Sequence, residues 1–181
     1  MTTGEIAKIL EKGGIGVMPT DTLYGLVGLA LSRPAVERIY LVRKREKNKP
    51  FIVLIASPYD LKKFGVKASQ EHLKILKALW FTPSRVKGTG PVSVILPCES
   101  KKFSYLHRGK NSIAFRLPKS KRLRELLKKT GPLIAPSANP SGKSPAKTIA
   151  EAKKYFGPKV DFYLDGGKRN KKPSSIVALI R

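Results

Sequence analysis

The chain has 181 residues, of which 41% are hydrophobic and 27% charged, so it is long enough for one ordinary domain and too apolar for a disordered protein. Its 37 Lys and Arg residues against 12 Asp and Glu residues give a formal charge of +25, which favours a nucleic-acid partner or a phosphorylated substrate unless it reflects a general basic bias. The single cysteine, Cys98, excludes an intramolecular disulfide, the two histidines do not make a metal cluster, and no run of about 18 apolar residues predicts a membrane span.

Predicted helices and strands alternate along the chain. Thr2 and Glu5 match a capping box at the start of an amino-terminal helix, and the apolar run at 15–18 predicts a short buried strand. Ser32 is placed to cap a second helix, whose apolar face ends among the cations at 43–45. The later predictions are strands at 51–55, 92–96, 113–117, 133–135, 162–164 and 176–179, and helices at 69–80, at 120–129 and after the Thr148–Glu151 capping box.

This order of elements predicts the fold class. Alternating helices and strands favour a layered α/β domain. The strands at 92–96 and 113–117 have no predicted helix between them, which indicates an antiparallel pair and therefore a mixed sheet. We expect one domain over residues 1–181, and we expect it in the cytoplasm because the amino terminus lacks the apolar core of a signal peptide.

Three polar segments adjoin the predicted strands and are candidates for a site. PTDTLYG at 19–25 is either a turn that satisfies its own backbone or the floor of a pocket for a small zwitterion. RKREKNKP at 43–50 is either a solvated helix end or a cluster that holds a triphosphate. PSANPSG at 136–142 has more hydroxyl and amide donors than a turn needs, and such donors contact phosphate and ribose oxygens.

Several chemistries lack support in the sequence. Neither a P-loop nor a dinucleotide-binding glycine pattern is present, so a bound nucleotide would be held in another way. Cys98 has no evident histidine partner and there is no G-x-S-x-G motif, so no covalent nucleophile is expected. Catalysis by positioning and charge remains.

Taken in order, PTDTLYGL, the basic helix end before PFIVLI, GPVSVIL, IAFRLP, PLIAPSANPSGKS and DGG with PSSIV resemble the YrdC-type threonylcarbamoyl-AMP synthase family. The resemblance runs from about residue 5 to the end of the sequence. It implies a twisted open sheet with a large basic concave cavity. It further implies synthesis of threonylcarbamoyl-AMP and pyrophosphate from threonine, bicarbonate and ATP with Mg²⁺, and a separate transferase that moves the threonylcarbamoyl group to tRNA.

The resemblance also implies roles for individual residues. Threonine would be held by Thr22 and Ser174, with Arg116 on its carboxylate. The ATP phosphates and sugar would be held by a second set of side chains: Arg43, Lys44, Arg45, Lys49, Ser112, Ser137 and Asn139. The resemblance assigns no metal ligand.

Four positions depart from the family pattern. Where the family has a lysine this sequence has Arg43, unless Lys44 takes that role, and where the family frequently has a histidine it has Leu54. The segment that reads W-P-G-P-x-T in the family is GTGPVS here, with Ser93 at its end, and the sequence stops at Arg181. An alternative is therefore a protein of this fold that binds double-stranded or ribosomal RNA without synthesis. A third hypothesis is carbamoyl-adenylate formation from carbamoyl phosphate, which differs in not requiring threonine.

Overall fold

The computed structural model describes residues 1–81, 91–171 and 173–179; Arg181 and residues 88–90 of the GTGPVS segment lie outside them. Eight strands form one mixed sheet in the order β7-β1-β2-β6-β3-β5-β4-β8. The strands are β1 Gly16–Pro19, β2 Tyr24–Leu29, β3 Val53–Leu54, β4 Val92–Pro97, β5 Ser112–Arg116, β6 Leu133–Ile134, β7 Phe162–Tyr163 and β8 Ser175–Ala178. The α-helices are α1 Thr3–Glu11, α2 Arg33–Arg43, α3 Gln70–Phe81, α4 Ser104–His107, α5 Lys121–Thr130 and α6 Ile149–Phe156.

The helices begin where the sequence provides caps. The Thr2 hydroxyl accepts the backbone N–H of Glu5 while the Glu5 carboxylate accepts the N–H of Thr2, the reciprocal pattern of a capping box. The hydroxyls of Ser32, Ser120 and Thr148 likewise accept a backbone N–H three residues on. These caps explain why the helix starts could be read from the sequence.

Two apolar clusters fix the layers on the two faces of the sheet. The larger cluster joins alternate residues of β3, β4 and β5 to helices α2, α3 and α6. The smaller cluster joins α1 and α5 to the other face, where Leu54 packs with Leu123 and Leu133. Arg116 pairs in register with Leu54 and with Ser93, so these side chains share the face that carries α1 and α5.

The mixed α/β sheet confirms the predicted fold class. The predicted strand at 92–96 pairs antiparallel with the one at 113–117, as expected. Two details were wrong. A 3₁₀ turn and the four-residue helix α4 lie between those strands, where no helix was predicted. Strand β2 was not predicted either, and its first two residues belong to PTDTLYG.

Among the described residues, no helix is long and apolar enough to cross a membrane.

Candidate functional site

Two adjoining clefts are lined by the polar segments. The first, here the central cleft, has a volume of about 270 Å³, and the second, the lateral cleft, about 600 Å³. Thr20 lines both. The polar lining of the central cleft is Thr20, Thr22, Arg43, Arg45, Arg116, Ser137 and Ser174, and its apolar lining includes Leu23, Phe51, Ile52 and Ile176.

The β1–β2 loop forms the wall between the clefts. The Thr20 hydroxyl donates to the carbonyl of Leu23 at 2.9 Å and lies 3.4 Å from the hydroxyl of Thr22, and both threonines are buried. Gly25 permits this close packing, because a Cβ on it would lie 2.8 Å from the methyl carbon of Thr20. The loop is therefore a fixed wall that presents hydroxyls to the central cleft.

Asp21, between the two threonines, lines the lateral cleft instead. Its carboxylate accepts the backbone N–H groups of Lys119 and Ser120 at 2.7 and 2.9 Å, immediately before helix α5. Asp21 thus anchors the loop to α5, as expected if PTDTLYG has a structural role. Its neighbours Thr20 and Thr22 line the central cleft, as expected if the motif forms a pocket.

Arg116, the last residue of β5, is a buried cation on the lining of the central cleft. The residue is 4% exposed, and its Nε has no hydrogen-bond partner among the described residues. Burial lowers the pKa of its guanidinium, and the nearby charge of Asp21 acts in the opposite direction. A buried guanidinium without a salt-bridging carboxylate in the described chain provides a place for an anionic ligand.

Ser174, on the same lining, contacts the fully buried Ser93. The Oγ atoms of Ser174 and Ser93 lie 3.1 Å apart, across the parallel pair of β4 and β8. Ser93 also pairs in register with Arg116. In the sequence Ser93 is only a departure from a family pattern, because its register next to the arginine depends on the strand pairing.

Arg43 joins two of the three motifs. Its Nε donates to the carbonyl of Asn139 at 2.8 Å, and its Nη2 lies within hydrogen-bond distance of the Asn139 amide oxygen and the Ser137 hydroxyl, at 3.2 and 3.3 Å. Its own carbonyl accepts the N–H of Ser141. Burial, with a smaller contribution from the charge of Arg45, lowers the pKa of Arg43 to about 10, so the guanidinium is still protonated at neutral pH.

Arg45 lies beside Arg43 on the cleft lining. Its guanidinium stands 5.2 Å from the centre of the Phe51 ring, and its Nε donates to the carbonyl of Lys49. Two positive charges therefore line the central cleft together with Ser137 of the PSANPSG loop.

Four predicted ATP-binding residues do not line this cleft. One is Asn139, whose amide accepts from Arg43 and donates to the carbonyls of Pro140 and Lys143. Lys44 is the exposed residue that ends α2 in a left-handed conformation, with φ 51°. Lys49 is exposed and pairs with Glu46, while Ser112 begins β5, at the opposite end of that strand from Arg116. Their proposed roles stay predictions, and the position of Lys44 argues against its replacing Arg43.

Tyr24 is a buried residue whose importance the sequence did not reveal. Its hydroxyl accepts the N–H of Gly166 at 2.9 Å and lies 2.8 Å from the carbonyl of Gly167 and 3.0 Å from the carboxylate of Asp165. Burial raises the pKa of this phenol, which keeps it a hydrogen-bond donor. The tyrosine of PTDTLYG thereby fixes the DGG turn beside the lateral cleft.

The single cysteine, Cys98, is not among the residues that line either cleft. It is buried, its thiol contacts the carbonyl of Phe64, and burial raises its pKa. The arrangement is suited to binding a carboxylate and phosphate together and to holding them in place.

Comparison with known proteins gives consistent relatives. Residues 8–181 match the Sua5/YciO/YrdC family model, described as telomere recombination. A threonylcarbamoyl-AMP synthase of Marinobacter nauticus is 32% identical over 171 residues, which is 93% of this chain and 86% of the relative. A putative threonylcarbamoyl-AMP synthase of Methanocaldococcus jannaschii is 32% identical over 96% of this chain and 78% of its own length.

Solved structures agree with the sequence relatives. The structure of P. abyssi Sua5 complexed with L-threonine superposes with a TM-score of 0.84 at 28% identity, over 98% of this chain. The chain spans half the length of that protein, at 50%. E. coli YciO shares the fold, with a TM-score of 0.80 at 22% identity.

Proposed function

The chain belongs to the Sua5/YciO/YrdC family, and on that premise we propose that it makes threonylcarbamoyl-AMP and pyrophosphate from threonine, bicarbonate and ATP. Curated relatives about 30% identical over most of the chain are named threonylcarbamoyl-AMP synthase, which supports this function over RNA binding without synthesis. Arg116 is the observation on which the proposal chiefly depends, since a buried, uncompensated guanidinium is suited to the carboxylate of an amino acid.

Threonine fits the central cleft by complementary chemistry. Arg116 would take the carboxylate, and the hydroxyls of Thr22 and Ser174 line the same cavity, within reach of the hydroxyl and amine of the amino acid. Ser93 holds Ser174 and so positions it. Free serine lacks the methyl group of threonine, so as a substrate it would lose the contacts of that group with the apolar lining, which includes Ile176.

The nucleotide would lie towards the PSANPSG loop. Arg43 and Arg45 place two positive charges there, and Ser137 supplies a hydroxyl for phosphate or ribose oxygens. The amide of Asn139 is bonded to Arg43 and to the carbonyls of Pro140 and Lys143, so this residue would act by shaping the loop. Arg43 already contacts both Ser137 and Asn139, so it acts partly by fixing the loop. Arg45 makes fewer contacts with that loop than Arg43 does.

The reaction requires charge and geometry more than a protein nucleophile. The amine of threonine adds to bicarbonate with loss of water, giving a carbamate. A carbamate oxygen attacks the α-phosphorus of ATP, the bond from that phosphorus to the bridging oxygen breaks, and the electron pair leaves on pyrophosphate. Fixed cations lower the barrier to such a displacement by neutralising the negative charge of the phosphates.

Mg²⁺ is implied by the family resemblance, and it would supply further neutralisation of the phosphates. Among the described residues, no three His, Cys, Asp or Glu side chains lie together as a protein-built metal site. Proteins commonly hold this ion through one or two carboxylates together with substrate phosphates. The side chains here fit a metal that enters with ATP better than a resident one, and no step above depends on it.

Transfer of the product to tRNA by a separate enzyme completes the proposal. The +25 charge favours contact with RNA, although the synthesis itself does not need it.

Pyrophosphate release from ATP tests the function. We expect the purified protein with Mg²⁺ and bicarbonate to release pyrophosphate with threonine, much less with serine, and not without an amino acid. Release from carbamoyl phosphate and ATP without threonine would favour carbamoyl-adenylate formation instead. No release together with salt-sensitive RNA binding would contradict synthesis.

Replacing Arg116 tests the assignment of the carboxylate site. Arg116→Ala removes a charge-assisted hydrogen bond that contributes about 1.5–3 kcal/mol, so the threonine Kd should rise at least about tenfold while the ATP Kd changes little. Calorimetry of both ligands measures this, with Arg124→Ala on α5 as the matched control. An unchanged threonine Kd in a folded variant would contradict the role of Arg116.

A further inference from the structure

A fully buried serine lies behind the lining of the central cleft. Ser93, near the start of β4, is 0% exposed and is not among the residues that line the cleft. Its hydroxyl lies 3.1 Å from that of Ser174, which does line the cleft, and this is the one hydrogen-bond partner of the Ser93 side chain among the described residues. Because a buried hydroxyl is costly unless it is hydrogen-bonded, the two serines act as a pair.

The neighbours of Ser93 indicate which hydroxyl donates to the other. Strand β4 lies between β5 and β8 in the sheet. On the β5 side Ser93 pairs in register with Arg116, where opposite Cβ atoms stand about 4.5–5.5 Å apart, and Ser174 lies on the β8 side. A buried guanidinium attracts the oxygen of a nearby hydroxyl and repels its hydrogen. The hydrogen of Ser93 therefore points away from Arg116, towards the oxygen of Ser174.

This direction makes Ser174 a hydrogen-bond donor to the cleft. A hydroxyl has one hydrogen to donate and two lone pairs that accept. One lone pair of Ser174 takes the hydrogen of Ser93, so its own hydrogen is left for a ligand. A hydroxyl that accepts one hydrogen bond also donates more strongly, because successive hydrogen bonds polarise one another.

Threonine has one acceptor that suits this donor. In the proposed function its carboxylate is bound by Arg116, whose guanidinium supplies several N–H groups. Its amine must keep the lone pair for the attack on bicarbonate, so a hydrogen bond donated to that nitrogen would oppose the reaction. The oxygen of the side-chain hydroxyl group remains.

We propose that Ser93 is a positioning residue that makes Ser174 the donor to the side-chain hydroxyl of threonine, and that this pair selects threonine over amino acids without a hydroxyl group. The inference rests on the proposed function and deepens it. The apolar lining near Ile176 contacts the methyl group of threonine, and the serine pair contacts the hydroxyl group on the same carbon atom. The cleft thereby recognises both substituents of that carbon.

Binding of threonine and of L-2-aminobutyrate tests the assignment without turnover, because the second amino acid lacks only the hydroxyl group. We expect the original protein to prefer threonine at least about tenfold in calorimetry, since 2-aminobutyrate leaves the donor of Ser174 without an acceptor. Ser93→Ala should reduce this preference about fivefold, by weakening the binding of threonine while the affinity for 2-aminobutyrate stays nearly unchanged.

Two further variants serve as controls. Ser93→Thr keeps the hydroxyl group and should retain the preference for threonine. Ser104→Ala removes the hydroxyl of an exposed serine at the start of α4 and should alter neither affinity.

The results separate the possible failures. Equal weakening of both amino acids by Ser93→Ala would show a structural role alone and overturn the inference, even if the original protein released pyrophosphate with threonine. An undiminished preference in the same variant would overturn it too. Selection of threonine that depends on Ser93, in a protein without threonine-dependent turnover, would retain the serine pair and refute the synthase function. Failure of the original protein to bind either amino acid would overturn both.

Discussion

At the scale of single residues, the two buried arginines of the central cleft differ in what their side chains contact. The Nε of Arg116 has no partner among the residues that the structure describes, whereas Arg43 directs its hydrogen bonds into the PSANPSG loop. Both lose hydration on burial, which lowers their pKa values, and Arg43, with a pKa of about 10, keeps its positive charge at neutral pH. Arg116 is consequently available to a ligand, while Arg43 mainly keeps the loop in place.

This difference explains the departure of position 43 from the family's lysine. A guanidinium has donors in a fixed fork and can reach Asn139 and Ser137 together, which a single ammonium cannot do with the same geometry. We predict that Arg43→Lys lowers the free energy of unfolding by about 1–3 kcal/mol and weakens ATP binding, through the loss of contacts to a buried loop. Urea unfolding and ATP titration measure the two effects.

The control for this change lies on the same helix. Arg33→Lys alters an exposed residue at the other end of α2 and should leave both quantities unchanged. If Arg43→Lys behaved like Arg33→Lys, the fork of contacts would have no energetic importance.

At the scale of elements, Asp161 links three parts of the fold. Its carboxylate accepts two hydrogen bonds from the guanidinium of Arg38 on α2 and the backbone N–H of Ile15 before β1, while its own position leads into β7. The hydrogen bond from Arg38 is the main reason that the pKa of Asp161 lies below its ordinary value. This residue therefore fixes α2 against the edge of the sheet.

We predict that Asp161→Asn destabilises the protein by about 1 kcal/mol at neutral pH, a modest value because both partners of the ion pair are 37% exposed to solvent. A lowered pKa in the folded state gives stability that is present above the ordinary pKa of an aspartate and is lost as the pH falls through the folded value. The difference from the original protein should thus shrink in acid. Urea unfolding at several pH values measures this difference in the free energy of unfolding. The control Glu125→Gln, on α5, should show no such difference. A difference between Asp161→Asn and the original protein that stayed constant in acid would contradict the role of the carboxylate.

The same elements indicate how far the sequence sufficed. Helix starts followed from Ser32, Ser120 and Thr148 because a cap is a local interaction. Strand β2 was missed because its residues, Tyr24–Leu29, are almost all buried and so lack the alternation that identifies a strand.

The site was partly predictable for a similar reason. The motifs identify Thr22, Arg116 and Ser137 as cleft residues, since each motif is a continuous segment. The pairing of Ser93 with Ser174 and the gathering of basic residues around the lateral cleft depend on strand order and on packing between distant segments, which no local pattern encodes.

At the scale of the whole molecule, the excess of cations affects stability as well as binding. A formal charge of +25 makes the folded surface repel itself, and the salt bridges of the described residues involve few of the 37 cations. Salt screens such repulsion, with a Debye length that falls from about 30 Å at 0.01 M to about 3 Å at 1 M. The net charge should therefore make stability depend on ionic strength.

We predict that the Tm rises by several degrees as sodium chloride increases from about 0.01 M to about 1 M. Calorimetric melting without substrates measures this. Pyrophosphate should raise the Tm at far lower concentration, because it acts by binding and not by screening. A Tm that is constant or lower in high salt would contradict self-repulsion as a significant cost.

The outermost strand has a consequence for the behaviour of the protein on binding substrate. Strand β8 pairs only with β4 in the described sheet, is mostly exposed, and begins next to Ser174. An edge strand with one partner is among the first parts of a fold to open. A threonine held between Ser174 and Arg116 would join this edge to β5. The substrate itself should therefore slow amide hydrogen exchange and proteolytic cleavage at 175–178, and its release should let the edge strand open again.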